Sequence, residues 1–78
     1  MDIKGQVKEF FKDNFMAEMD GIEDTDSFLE NGIIDSTGVL ELVLFLEETY
    51  NIKVEDDEII PENLDSLENI ATYVASKN

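Results

Sequence analysis

The chain contains no cysteine, no histidine, no arginine and no tryptophan, and only one proline among its 78 residues. Without cysteine there is no disulfide framework, no thiolate zinc site and no cysteine nucleophile, which fits a reducing compartment. Without histidine the serines lack their usual general base, so serine-type nucleophilic catalysis is poorly supported. Positive charge is also scarce: five lysines stand against twenty Asp and Glu, for a net charge of -15. Nucleic acids and anionic lipid surfaces both require cationic groups, so both are disfavoured as partners, and basic protein surfaces are favoured instead. No apolar run approaches the roughly 18 residues of a membrane span, and no charged-then-apolar leader opens the chain. The expectation is a cytoplasmic, monomeric protein with no membrane insertion.

What is present suffices for a core. Apolar residues make up 42% of the chain and aromatics 9%, more than a disordered acidic tail would carry. A length of 78 residues suits one domain, 1–78. Ile3, Val7, Phe10, Phe11 and Phe15 recur at helical spacing and predict a first helix over about 2–18. Gly21 and the polar run that follows predict a long loop over about 20–34, with Phe28, Leu29, Ile33 and Ile34 turned inward. A second helix, capped by Asp35 or Ser36, carries Val39, Val43, Leu46 and Tyr50 on one stripe with Leu42 beside it. Glu41, Glu47 and Glu48 are expected to face away from that stripe. Leu40, Leu44 and Phe45 widen its apolar surface, either for packing on several sides or for docking. A short acidic helix is expected over about 56–60, capped by Asp56, buried through Ile59 and Ile60 and ended by Pro61. The last helix starts at Asp65 or Ser66, with Asp65 and Glu68 as a capping-box pair, and buries Leu67, Ile70, Ala71 and Val74. The predicted fold is all-α, a small four-helix bundle of three main helices plus a short third.

The acidic loops fail as calcium sites. An EF-hand loop begun at Asp24 places Phe28 and Leu29 where a ligand and the invariant glycine belong, and one begun at Asp56 places Ile60 at a ligand position. No catalytic residues and no metal ligands are assigned. Gly38 alone, with no Gly-rich run and no lysine beside it, is not a phosphate loop.

The residues Asp26-Ser27-Phe28-Leu29-Glu30, Gly32-Ile33-Ile34-Asp35-Ser36, Glu41-Leu42-Val43, Leu46-Glu47-Glu48 and Leu67-Glu68-Asn69-Ile70 together resemble the acyl carrier proteins over most of the chain. The resemblance implies that Ser36 is esterified by 4'-phosphopantetheine, transferred from coenzyme A by a phosphopantetheinyl transferase, with Asp35 and Thr37 flanking the arm. It implies a carrier rather than an enzyme. Acyl intermediates would ride as thioesters on the arm's thiol to partner enzymes in fatty acid, polyketide or related biosynthesis. A phosphodiester at a helix start also meets unsatisfied N–H groups and the positive end of the helix dipole. Docking to basic surfaces of loading ligases and acyl-transferring enzymes is assigned to Leu40, Glu41, Leu44, Glu47 and Glu48.

Two positions depart from the commonest pattern. Fatty-acid carriers of this kind usually have Leu after the serine and an acidic residue one place further on, where this chain has Thr37 and Gly38. The surface beside the arm is therefore expected to be smaller and less acidic. The segments Gly32 to Ser36 and Pro61-Glu62-Asn63-Leu64-Asp65-Ser66-Leu67 look more like specialised carriers served by a stand-alone acyl or aminoacyl ligase. The alternatives are thus a carrier for an activated amino acid, or an acidic helical interaction module that is never modified.

Overall fold

The computed structural model describes residues 2–16 and 21–77. Four α-helices follow in order, α1 (Ile3–Phe15), α2 (Ser36–Tyr50), α3 (Pro61–Leu64) and α4 (Leu67–Lys77), with a 3-10 turn at Asp56–Glu58 before α3. Among the described residues there is no strand, and Ile52 to Val54 form a connector without regular secondary structure.

Local chemistry sets the ends of each helix. Asp2 caps α1 by accepting from Gly5 N–H at 3.0 Å. The helix closes at Met16, whose backbone is left-handed (φ 52°) and whose N–H returns to the Phe11 carbonyl. The predicted extension through 17 and 18 lies outside the described residues, as does the predicted start of the loop at 20. Asn51, also left-handed at φ 55°, ends α2.

Three expectations about the second half of the chain are corrected. The 3-10 turn is capped by Glu55 rather than Asp56, with Glu55 N–H donating to Glu58 Oε1 at 2.9 Å. Pro61 does not end that turn but opens α3, because the first turn of a helix needs no N–H from it and its fixed φ already suits a helix. Ser66 caps α4, its Oγ accepting from Asn69 N–H at 3.0 Å, while the Asp65 carboxylate turns away to the loop.

The core runs from Val7 and Phe11 on α1 through Leu42 and Leu46 on α2 to Leu67, Ile70 and Val74 on α4. The long loop contributes to it directly. Phe28 is fully buried and meets Phe11 edge to face, with centroids 4.8 Å apart and planes at 82°. Ile34 is buried and Ile33 half-buried, but Leu29 is 44% exposed, contrary to its predicted inward placement. Ala71 is half-buried, and Ile60 is exposed rather than part of the buried side of the acidic turn.

Loop and helices are also joined by polar contacts. Phe28 N–H donates to the Asp65 carbonyl and Leu29 N–H to Asp65 Oδ1, both at 2.9 Å, and Ser27 Oγ donates to Asp65 Oδ2. Glu68 N–H donates to the Asp24 carbonyl at 2.9 Å.

Glu58 fastens the 3-10 turn to α4, accepting from Lys77 Nζ at 2.8 Å and Tyr73 OH at 3.1 Å. The Lys77 ammonium, aided by Glu55 N–H and Tyr73 OH, holds the Glu58 carboxyl below its ordinary 4.5. Burial, helped by the bond to Glu58, pushes the Tyr73 phenol up to about 12. A carboxyl whose pKa is lower in the folded state stabilises the fold above its unfolded pKa, and that contribution is lost as pH falls through the folded value. Glu58→Gln is therefore expected to lower the melting temperature at neutral pH, with the gap to the parent closing as pH drops below the ordinary carboxylate range. Melting curves across that range check this; a gap that persists in acid would assign the loss to packing instead.

Candidate functional site

Asp35 is extended (φ -113°, ψ -176°) and is the residue that caps α2, its Oδ1 accepting from Gly38 N–H at 2.8 Å. Its carbonyl accepts from Val39 N–H at 3.0 Å, the first bond of the helix ladder. Ser36 is thus the first helical residue and not the cap, and both Ser36 and Thr37 are exposed. The choice between Asp35 and Ser36 that the sequence left open is settled in favour of Asp35. The cap uses the Gly38 N–H, so the N–H groups of Ser36 and Thr37 are the first-turn donors outside it. An oxyanion bonded to Ser36 Oγ would lie at the positive end of the α2 dipole.

Gly38 is buried, which changes the meaning of its departure from the acyl carrier pattern. A Cβ there would stand 2.7 Å from Ile34 Cγ1 and 3.4 Å from Phe15 Cε1. The position does not make the surface smaller or less acidic; it lets the start of α2 pack against α1 and the end of the loop. Gly38→Ala would gain about 1 kcal/mol of helix propensity but lose about 1–3 kcal/mol to overpacking. A net loss near 1 kcal/mol is expected, a fall of roughly 4–8 °C in melting temperature for a domain of this size. A rise in a thermal melt would show that Ile34 yields without cost.

Beside Ser36 lies an apolar groove of about 240 Å³ between α2 and the segment leading into α3. Val39 and Leu40 form one wall; Ile59, Ile60 and Leu64 form the other. Leu29, the loop residue that fails to turn inward, lies at the same groove, as does Asp65. A pattern of buried stripes does not single out Ile59, Ile60 and Leu64, because their common face exists only once the segment folds back onto α2.

The predicted docking residues do not form one surface. Leu40, 58% exposed, belongs to the groove beside Ser36. Glu41, Leu44 and Glu48 line a second groove, shared with α1. Glu47 does not face away: it is half-buried, and its Oε2 accepts from Val54 N–H at 3.0 Å, bracing the connector after α2. Among the described residues no three carboxylates converge as cation ligands, and no helix is long and apolar enough to cross a membrane.

The chain has the means to hold a prosthetic group of the kind its pattern implies: an exposed hydroxyl at a helix start, first-turn donors outside the cap, and an apolar groove alongside. Comparison with known proteins points the same way. Residues 5–74 match the phosphopantetheine attachment site family. The D-alanyl carrier protein of Streptococcus sanguinis (strain SK36) is 38% identical over 58 residues, 74% of this chain and 72% of that protein. The D-alanyl carrier protein of Streptococcus pyogenes serotype M5 (strain Manfredo) is 41% identical over the same shares. The chain therefore belongs to the phosphopantetheine-bearing carrier proteins, which are not catalytic themselves, bear 4'-phosphopantetheine and are acted on by separate enzymes.

Proposed function

We propose that this protein carries an activated amino acid, loaded by a stand-alone ligase, as a thioester on 4'-phosphopantetheine attached to Ser36 Oγ. The observation that carries the cargo assignment is the likeness to D-alanyl carrier proteins across most of the chain. Exposure of Ser36 at the first turn of α2 supports the attachment point. Once attached, the arm supplies the terminal thiol that a chain without cysteine lacks.

The protein's own residues bind and orient. The Ser36 and Thr37 N–H groups and the α2 dipole favour a phosphodiester at Ser36. Asp35 is committed to the cap and is poorly placed to take the Ser36 proton as well. With no histidine in the chain, the base that accepts that proton belongs to the transferase. Leu40, Leu29 and Ile60 give partner enzymes an exposed apolar rim around the attachment point, and the surrounding carboxylates steer basic partner surfaces towards it.

Cargo is tested on the holo-protein with ATP and either D-alanine and a D-alanine ligase or a fatty acid and an acyl ligase, followed by intact mass. The expected result is the mass of one alanyl group and little acylation by the fatty acid. Preferential fatty acylation would move the protein to fatty acid or polyketide biosynthesis. Failure of the apo-protein to gain the arm would leave the unmodified interaction module.

A further inference from the structure

The loop before α2 contains a pair of residues with no part in attaching a prosthetic group. Asn31 is followed by Gly32, whereas Asn14, Asn51, Asn63 and Asn69 are followed by the bulky Phe15, Ile52, Leu64 and Ile70. Asn31 and Gly32 are both exposed and lie on a turn. Gly32 has a left-handed backbone, φ 68°, and apart from its chain neighbours nothing lies within 4 Å of the place a Cβ would occupy. Its amide nitrogen is therefore unshielded by a side chain. An exposed carboxamide beside such a nitrogen is set up to close a ring on it.

Two sets of bonds hold the pair apart from that reaction. Asn31 Nδ2 and Asn31 N–H both donate to the Ser27 carbonyl, at 2.7 and 3.1 Å, and Gly32 N–H donates to the Leu29 carbonyl at 3.3 Å. Leaving group and nucleophile are thus both engaged while the turn is closed. The turn in turn hangs on Asp65, which accepts from Ser27 Oγ and from Leu29 N–H.

We infer that Asn31 is a site of spontaneous conversion to isoaspartate, paced by opening of this turn, and that the product loosens the junction carrying Ser36. Hydroxide removes the Gly32 N–H proton, and the nitrogen attacks Asn31 Cγ. The new N–C bond closes a succinimide, the Cγ–Nδ2 bond breaks, and ammonia leaves with a proton from water. Water then opens the ring at one carbonyl or the other, giving aspartate or isoaspartate. Nothing is oxidised or reduced: water enters and ammonia departs. In isoaspartate the main chain runs through Cβ and is longer by one atom. That atom falls inside the turn closed by Ile33 N–H on the Phe28 carbonyl at 2.9 Å, next to Ile34, which covers Gly38 at the start of α2. The inference holds whatever cargo is carried and whether or not Ser36 is modified, so its failure and that of the proposed function are distinguishable.

The test ages the full chain at mildly alkaline pH and follows each asparagine by mass. A protease that cuts after glutamate releases Asn31 on peptide 31–41 and puts Asn14, Asn51 and Asn63 on separate peptides. Deamidation of the Asn31 peptide is expected to run at least about tenfold faster than that of the other three. Aged protein is expected to accept methyl groups from an isoaspartyl methyltransferase, and Asn31→Gln aged alongside is not. Asp65→Ala and Ser27→Ala, checked for fold by circular dichroism, are each expected to speed the reaction about threefold or more by freeing the turn. The aged, more acidic form is expected to melt about 5 °C or more below a fresh Asn31→Asp variant, which has the same charge and an unaltered main chain. An Asn31 peptide no faster than that of Asn63, no methyl acceptance, rates unmoved in both turn variants, or an aged form as stable as Asn31→Asp would each overturn the inference.

Discussion

Ser36→Ala is expected to gain no mass from coenzyme A and a phosphopantetheinyl transferase, while the parent gains one phosphopantetheine. The loss should be chemical and not structural. Asp35 supplies the cap, so the Ser36 hydroxyl is not needed to start α2, and alanine is the better helix former by about half a kcal/mol. Circular dichroism should therefore be unchanged and the melting temperature equal or slightly higher. The other three serines are already engaged. Ser27 Oγ donates to Asp65 and accepts from Glu30 N–H, Ser66 Oγ caps α4 in a buried position, and Ser76 Oγ donates to the Tyr73 carbonyl. Intact-mass analysis decides the matter: a mass gain by Ser36→Ala would refute the attachment point, whatever the cargo.

Phe28→Ala is expected to be the most damaging single change in the loop. The ring is fully buried against Phe11, and removing such a side chain costs about 3–5 kcal/mol. A domain of this size has a total stability of roughly 4–12 kcal/mol. The melting temperature should fall by at least about 12 °C, and part of the population should be unfolded at physiological temperature. Leu29→Ala, one residue along and 44% exposed, should shift it by no more than a few degrees. Thermal unfolding of the pair checks this; comparable shifts would mean that the loop is anchored by its polar contacts and not by the aromatic ring.

The main features legible in the sequence are those set by near neighbours. The stripe of Val39, Val43, Leu46 and Tyr50 with Leu42 beside it, a cap at Asp35 or Ser36 and the helix-breaking run after α1 each depend on residues a few positions apart, where periodicity and capping rules apply. Relationships across the fold were hidden. Asp65 looks like a capping-box residue to its immediate neighbours but bonds to residues 36 and 38 positions earlier, leaving the cap of α4 to Ser66. Glu47 looks like part of a solvated face, yet the turn at Asn51 brings Val54 N–H back to it. Gly38 looks like a missing acidic group until Ile34 and Phe15 are seen to cover it. Pro61 is ambiguous by rule, since proline both stops and starts helices. The pattern around Ser36 directed attention to the start of α2, whereas the groove beside it depends on a segment more than twenty residues further on.

The three bonds by which Asp65 holds Ser27, Phe28 and Leu29 also bear on how the molecule breathes. A loop fastened at consecutive residues to the joint between α3 and α4 cannot swing out alone; the two segments must part as one unit. Amide hydrogens of Phe28 and Leu29 should therefore exchange with solvent slowly for a loop, and at the same pace as Asp65 N–H, which bonds to the Pro61 carbonyl. A protease cutting at 27–29 would in effect report how often the far wall of the groove beside Ser36 comes loose.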